Sequence, residues 1–221
     1  MNANAPCAAR EREATIALAD AALPAFLTVP KKPLGVVAFA HGSGSSRLSP
    51  RNRLVASLLN DARVATLLFD LLTPGESVDR RNVFDVELLA RRLMAASRWL
   101  GLQPDARGLP IGYFGASTGA AAALWAAADL GPEVKAVVSR GGRPDLASPR
   151  LGEVRSPTLL IVGGFDEAVL ELNRSALGLL ACKAELRVVP QATHLFEEPG
   201  ALEQVAEIAR EWFTRHLGDS A

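Results

Sequence analysis

Ser117 stands at the centre of the sequence Gly-Ala-Ser-Thr-Gly, residues 115–119, which follows a short apolar run and precedes a run of alanines. A strand that turns sharply into a helix at such a sequence exposes the serine hydroxyl, because the two glycines leave room for a strained turn. Three fixed positions in five arise often by chance, so the pattern needs partners: a strand before it, a helix after it, and an acid and a histidine later in the chain. Ser117 is therefore a candidate nucleophile.

A serine hydroxyl attacks poorly unless an imidazole takes its proton and a third group orients that imidazole. The chain has three histidines. We expect His41, in a glycine-rich loop, to hold the shape of that loop, and His216, among charged residues near the C-terminus, to face solvent. His194 follows the last predicted strand and is the candidate general base. The alternative for His194 is a purely structural role.

The orienting acid is expected between Ser117 and His194 in the chain, since serine, acid and histidine follow in this order where a serine occupies such a turn. Asp166 comes after a predicted strand and two glycines, which places it at the same sheet edge as the serine. Asp145 is the rival, although it could simply cap a short segment. Glu167 is expected to begin a helix, where the helix dipole favours an acidic residue.

Two further features concern charge at this edge. Backbone amides of Thr118 and Ser43 are the candidate donors to an oxyanion, because such donors must be in place before charge develops. The alternative for the loop around Ser43 is a phosphate-binding turn, but the lysine of a P-loop does not follow it. Arg140, between a strand and two glycines, is a candidate for binding a substrate carboxylate, with a solvated or ion-paired arginine as the alternative.

The composition excludes several classes of protein. Basic and acidic residues balance at 24 each and the pI is about 6.8, so no net field attracts nucleic acid. No stretch approaches the roughly 18 apolar residues of a membrane span, and charges at 10–13 interrupt any signal peptide. We therefore expect a cytoplasmic protein that binds neither nucleic acid nor membrane, with Cys7 and Cys182 as free thiols. The composition leaves the oligomeric state open.

Apolar runs alternate with helical patterns, which predicts an α/β fold with a mostly parallel sheet and helices on both faces. We predict a flexible arm over residues 1–11 and one domain over 12–221. Predicted strands cover 14–19, 25–29, 34–40, 64–72, 111–116, 134–139, 158–162 and 186–189. Predicted helices begin at Pro50, at 81 or 82, after Ser117, at Val169 and at 199 or 200, with a polar loop over 73–79.

The chain resembles the dienelactone hydrolase-like family of the α/β-hydrolases over residues 34–217. The resemblance rests on AHGSGSS, FDLLTPGESVDRRNVFD, GYFGASTGAA, VVSRGGRPDLA, VGGFDEAVL and THLFEEPGAL. It implies a serine-nucleophile subgroup whose relatives are sometimes fused to phosphoribosyltransferase domains, and a minimal or absent cap domain because residues 143–156 are few. Dienelactone hydrolases proper carry cysteine at the position of Ser117, so the resemblance implies their triad geometry rather than their substrate.

These residues predict a serine hydrolase that cleaves small carboxylic esters or lactones through an acyl-enzyme, with Ser117, Asp166 and His194 as the triad. This chemistry requires no metal or organic cofactor. Two alternatives remain open at this point: an acyltransferase or thioesterase that uses the same triad, and a non-catalytic binding or regulatory module on the same fold.

Overall fold

The computed structural model describes residues 10–218. Arg10 and Glu11, which were predicted to belong to the flexible arm, lie in the first strand instead, because they pair with Val29 and Thr28 of the second. Residues 1–9, which include Cys7, lie outside the described residues.

Within residues 10–218, eight strands form one sheet, in the order β1-β2-β4-β3-β5-β6-β7-β8. β1 pairs antiparallel with β2, β2 pairs antiparallel with β4, and all other pairs are parallel. The strands are β1 Arg10–Ala17, β2 Ala22–Val29, β3 Gly35–Ala40, β4 Val64–Phe69, β5 Ile111–Ala116, β6 Val134–Arg140, β7 Thr158–Gly163 and β8 Ala184–Val189. The predicted α/β fold with a mostly parallel sheet is confirmed.

Helices cover both faces of the sheet, as the continuous apolar runs of the central strands require. They are α1 Pro50–Asp61, α2 Pro74–Ser77, α3 Arg80–Phe84, α4 Val86–Leu100, α5 Thr118–Leu130, α6 Glu167–Leu179 and α7 Ala201–Gly218. α1 and α7 bury Val55, Leu59 and Phe213 with one face, and α4 and α5 bury Leu93 and Leu124 with the other. β5 is central, which places Ser117 in the middle of the carboxyl edge.

The segment between β4 and β5 differs most from the prediction. The predicted loop over 73–79 contains α2, whose first turn is held by a capping box between Thr73 and Glu76. The single helix predicted to begin at 81 or 82 is two helices, α3 and α4, because the Asp85 side chain accepts the Leu88 N–H and starts a new helix there.

Between β6 and β7 the chain makes only 3-10 turns, over Pro144–Glu153, in agreement with the expected lack of a cap domain. Within residues 10–218 no helix is long and apolar enough to cross a membrane. In the same range no group of three His, Cys, Asp or Glu side chains is arranged to hold a metal ion.

Candidate active site

Ser117 lies between β5 and α5 with φ 51° and ψ −121°, a conformation that costs about 1–3 kcal/mol for a residue with a side chain. The flanking glycines make the turn possible. A Cβ on Gly115 would lie 2.4 Å from Ala120 Cα, and one on Gly119 would lie 2.1 Å from the Ala40 carbonyl oxygen. The turn therefore depends on the close approach of three backbone segments.

Two backbone hydrogen bonds hold the strained residue in place. The Ser117 N–H donates to the Arg140 carbonyl (3.1 Å), and the Ser117 carbonyl accepts from the Arg143 N–H (3.1 Å). Such external bonds to the loop after β6 are what allows a strained residue to persist in a folded protein.

His194 and Asp166 meet at the same edge. Their atoms Nδ1 and Oδ2 are 2.6 Å apart, with 38% of the histidine side chain and 14% of the aspartate side chain exposed. A carboxylate at Nδ1 favours the tautomer with the proton on that nitrogen, so Nε2 is left to accept a proton. Gly141, one residue beyond the carbonyl that binds Ser117, packs against the same ring: a Cβ there would lie 3.5 Å from His194 Nδ1.

The rival residues have other partners. Asp145 forms a two-bond ion pair with Arg143, at 2.8 and 2.7 Å, and Glu167 is the first residue of α6. His216 is half-buried and packs edge-on against Trp212, with ring centroids 4.5 Å apart. The expectation that His216 faces solvent is therefore wrong, because its helix face packs against the sheet.

His41 holds its loop, as expected. Its Nε2 accepts the Leu71 N–H at 3.1 Å, which leaves the proton on Nδ1 for the Gly42 carbonyl at 3.0 Å. Burial lowers the pKa of His41 below its usual 6.5, since desolvation disfavours the charged ring.

The two candidate oxyanion donors are hydrogen-bonded to each other. The Ser43 N–H donates to the Thr118 hydroxyl at 2.9 Å. Thr118 is the first residue of α5, so its own amide belongs to the unpaired N–H groups of a helix start. To hold an oxyanion, the Ser43 amide has to share its hydrogen or exchange partners.

A cavity of about 410 Å³ adjoins these two residues. One wall is the loop from His41 to Ser46, and the opposite wall is largely apolar, with Leu71, Leu72, Pro74, Val83 and Leu89. An ion-pair network holds the helix α2 of this wall in place, since Arg92 of α4 binds both Glu76 and Asp20.

Arg140 does not line this cavity. Its neighbour Val138 belongs to the core beneath α1 and α7, and residues two apart on a strand share a face. Its guanidinium carbon lies 6.0 Å from the centre of the Phe196 ring. The backbone of Arg140 therefore lies next to the turn at Ser117, but its side chain lies on the opposite face of the sheet from the helix α5.

Sequence reasoning missed three residues that shape the site. A Cβ on Gly42 would lie 3.0 Å from Ser117 Cβ, so a glycine here lets that loop approach the candidate nucleophile closely. Gly141 has φ 50° beside His194. Asn173, fully buried, donates to the Gly142 carbonyl at 3.0 Å. The paired glycines at 141–142 were the one available signal; no pattern distinguished Asn173.

A solved structure of a dienelactone hydrolase from Anabaena variabilis matches with 51% sequence identity and a TM-score of 0.91, covering 94% of this chain and 98% of that one. This chain belongs to the dienelactone hydrolase family. Est1E from Butyrivibrio proteoclasticus, at 17% identity and a TM-score of 0.80, covers 93% of the chain and 98% of its own. That likeness shows the shared α/β-hydrolase fold alone. No protein-family model matches the chain.

Two curated relatives come from Mycobacterium tuberculosis, strains CDC 1551 and H37Rv, and each is named as a phosphoribosyl transferase. Each is 61% identical over 208 residues, which is 94% of this chain and 47% of the relative. The chain thus spans about half the length of these relatives. In this chain, the segment shared with the two relatives has the fold of the dienelactone hydrolase family.

Proposed function

We propose that this chain is a serine hydrolase that cleaves small carboxylic esters or lactones through an acyl-enzyme on Ser117. The observation that carries the proposal is the contact of 2.6 Å between His194 Nδ1 and Asp166 Oδ2, at the sheet edge where Ser117 stands on a strained turn. Family membership supports hydrolase chemistry, and the name of the Anabaena variabilis relative states it for that protein.

In the acylation step, His194 Nε2 takes the proton from Ser117 Oγ as that oxygen attacks the ester carbonyl. Asp166 orients the imidazole and stabilises the imidazolium that forms. His194 then returns the proton to the leaving alcohol as the bond from the carbonyl carbon to the alcohol oxygen breaks. A water molecule repeats the sequence on the acyl-enzyme and releases the acid.

The oxyanion is stabilised by the amides of Thr118 and Ser43, with help from the Thr118 hydroxyl. This hydroxyl accepts the Ser43 N–H at 2.9 Å, and an alcohol oxygen that accepts one bond can donate its own hydrogen to another acceptor. Thr118 is 4% exposed and lines the cavity, so an oxygen bound there is screened from water. The hydroxyl therefore positions one donor and can itself serve as another.

The cavity beside Ser43 and Thr118 is the proposed site for one part of the substrate. Its volume of about 410 Å³ suits a small molecule, and its apolar wall favours an uncharged acyl or alcohol group. The absence of a cap between β6 and β7 leaves the other side of Ser117 open.

The proposal is tested with Ser117→Ala and a fluorophosphonate probe. We expect the wild type to hydrolyse p-nitrophenyl acetate and to be labelled, and Ser117→Ala to lose both properties. Thr15→Ala, at an exposed position of β1 that does not line this cavity, serves as a control for expression and purification. Turnover that survives unchanged in Ser117→Ala would show that the serine is not the nucleophile. Product esters formed in preference to acid when alcohol is added would favour the acyltransferase alternative.

A further inference from the structure

Arg140 is a buried cation for which residues 10–218 provide no counter-ion. The residue is 8% exposed, and its Nε and Nη1 are buried with no hydrogen-bond partner within residues 10–218. Loss of hydration lowers the pKa of Arg140 to about 10, and the charge of Arg51 nearby adds to this. Burying an unpaired charge is costly, so its retention calls for an explanation in terms of binding.

Another buried arginine shows how this fold satisfies a structural cation. The Arg92 side chain is 4% exposed, yet its Nη1 lies 2.8 Å from Asp20 and its Nη2 lies 2.6 Å from Glu76. Both carboxylates come from distant parts of the chain. Arg140 is buried to a similar degree, but no carboxylate among residues 10–218 binds it. This distinguishes Arg140 from an arginine, such as Arg92, that only holds elements together.

The positive charge of a second arginine, Arg51, acts on Arg140. Arg51, the second residue of α1, has a buried Nε with no partner among the described residues, while its Nη1 bonds Glu197 at 3.1 Å. The first turn of α1 contains no acidic residue, so the positive end of its helix dipole adds to the positive charge of the two arginines. Phe196 contributes a ring face to Arg140 but no hydrogen-bond acceptor.

We propose that Arg140 and Arg51 form a binding site for a small oxyanion, a carboxylate or a phosphate group. A planar guanidinium offers parallel N–H donors that match the oxygens of either group. This proposal does not depend on the hydrolase reaction proposed above, because its first test measures the binding of an anion.

An anion at this position would connect three elements of the active edge: the end of β6, the start of α1, and the loop from Pro190 to Gly200 that joins β8 to α7. That loop carries His194, two and three residues before Phe196 and Glu197, the residues that the arginines contact. Occupancy is therefore expected to hold the loop and its histidine more firmly.

The test is thermal unfolding in phosphate and in acetate, each compared with chloride at equal ionic strength so that general screening cancels. Above the Kd of the site, each tenfold increase in anion concentration should raise the Tm of the wild type by about 3–5 °C. A Tm that is the same in phosphate, acetate and chloride would overturn the proposal.

Arg140→Met is the main variant, because it keeps the length of the side chain and removes the charge. In anion-free buffer we expect it to unfold at a higher temperature than the wild type, since an uncompensated buried charge is gone, and its Tm should not respond to phosphate. A lower Tm combined with an unchanged phosphate response would mean that Arg140 has a structural role only. If the variant fails to fold, Arg51→Gln carries the test.

Arg150→Met is the matched control. Arg150 also lies over an aromatic ring, 5.9 Å from the centre of Trp125, but Asp129 and Glu153 neutralise it. Its variant should keep the full phosphate response. Loss of the response in Arg150→Met as well would mean that the effect does not come from a specific site.

Kinetics separate the two sources of the anion. If the oxyanion is part of the substrate, p-nitrophenyl hemisuccinate should be preferred to p-nitrophenyl butyrate, and Arg140→Met should lower that preference about 10- to 100-fold. If it is a free anion, there should be no preference, and phosphate should raise the Tm without raising KM for the butyrate. Fluorophosphonate labelling of Ser117 in every variant reports the proposed hydrolase function separately from the anion site.

Discussion

Two loops at the carboxyl edge of the sheet each carry a histidine, and their surroundings differ. His41, after β3, has both ring nitrogens in contact with backbone groups, at 3.0 and 3.1 Å, and burial lowers its pKa. His194, after β8, has Nδ1 against a carboxylate and 38% of its side chain exposed. A histidine exchanges protons with a substrate only if a nitrogen is free and the charged ring is stabilised, so these surroundings favour a structural role for His41 and the proposed role of general base for His194.

The largest expected effect comes from replacing the histidine of the second loop. His194→Gln should lower kcat/KM for p-nitrophenyl acetate by at least about 10⁴-fold, because it removes the proposed general base. His216→Gln is the matched control and should stay near the wild-type value. Comparable losses in the two variants, with both proteins folded, would remove the distinction between His194 and the other histidines.

Asp166→Asn tests the carboxylate that contacts His194. The amide cannot stabilise an imidazolium and favours the wrong tautomer, so kcat should fall by about 10⁴-fold with little change in KM. Asp145→Asn, which breaks the pair with Arg143 at the neighbouring strand end, is the control. A larger loss in Asp145→Asn than in Asp166→Asn would reverse the choice of acid.

Thr118→Val examines the point where the His41 loop meets the nucleophile. It removes the hydroxyl that accepts the Ser43 N–H and keeps the shape of the side chain, so kcat should fall by about 10²-fold, the effect of losing one oxyanion donor. Thr118→Ser retains the hydroxyl and should restore most of the rate. Equal rates in the valine and serine variants would exclude a role for the hydroxyl.

His41→Gln should act mainly on stability. Loss of the bond from the Leu71 N–H to Nε2 leaves a donor to find a new acceptor, which should lower the free energy of unfolding by about 1–3 kcal/mol. Urea unfolding followed by circular dichroism measures this. A stability equal to that of the wild type would show that the loop does not depend on the ring.

The smallest effect is a pH dependence of stability. Because the folded pKa of His41 lies below the unfolded 6.5, the unfolded chain binds a proton below pH 6.5 that the folded protein does not. The stabilisation is thus complete above pH 6.5 and is lost as pH falls toward the lowered pKa, by at most about 1.4 kcal/mol per pH unit. His41→Gln should flatten this slope between pH 6.5 and 5, and an unchanged slope would assign it to other groups.

The sequence alone determined the fold class and the family. Buried strands are continuous apolar runs and helices have a periodic apolar face, so their alternation predicts a parallel sheet without knowledge of contacts. Chain order then placed Ser117, Asp166 and His194 at strand ends on one edge, as predicted. Their catalytic roles stay predictions, although the structure brings Asp166 and His194 into contact.

Other features required the tertiary structure, because they depend on partners that are distant in the chain. The split at Asp85 and the bracing of α2 by Arg92 involve side-chain bonds that propensity does not reveal. The sequence wrongly predicted that His216 faces solvent and left Asp145 as a rival acid, and only the contacts with Trp212 and Arg143 corrected the one and explained the other. Arg140 is the clearest example: the sequence shows that it carries a charge, but only the packing of residues 10–218 shows that none of them provides a counter-ion.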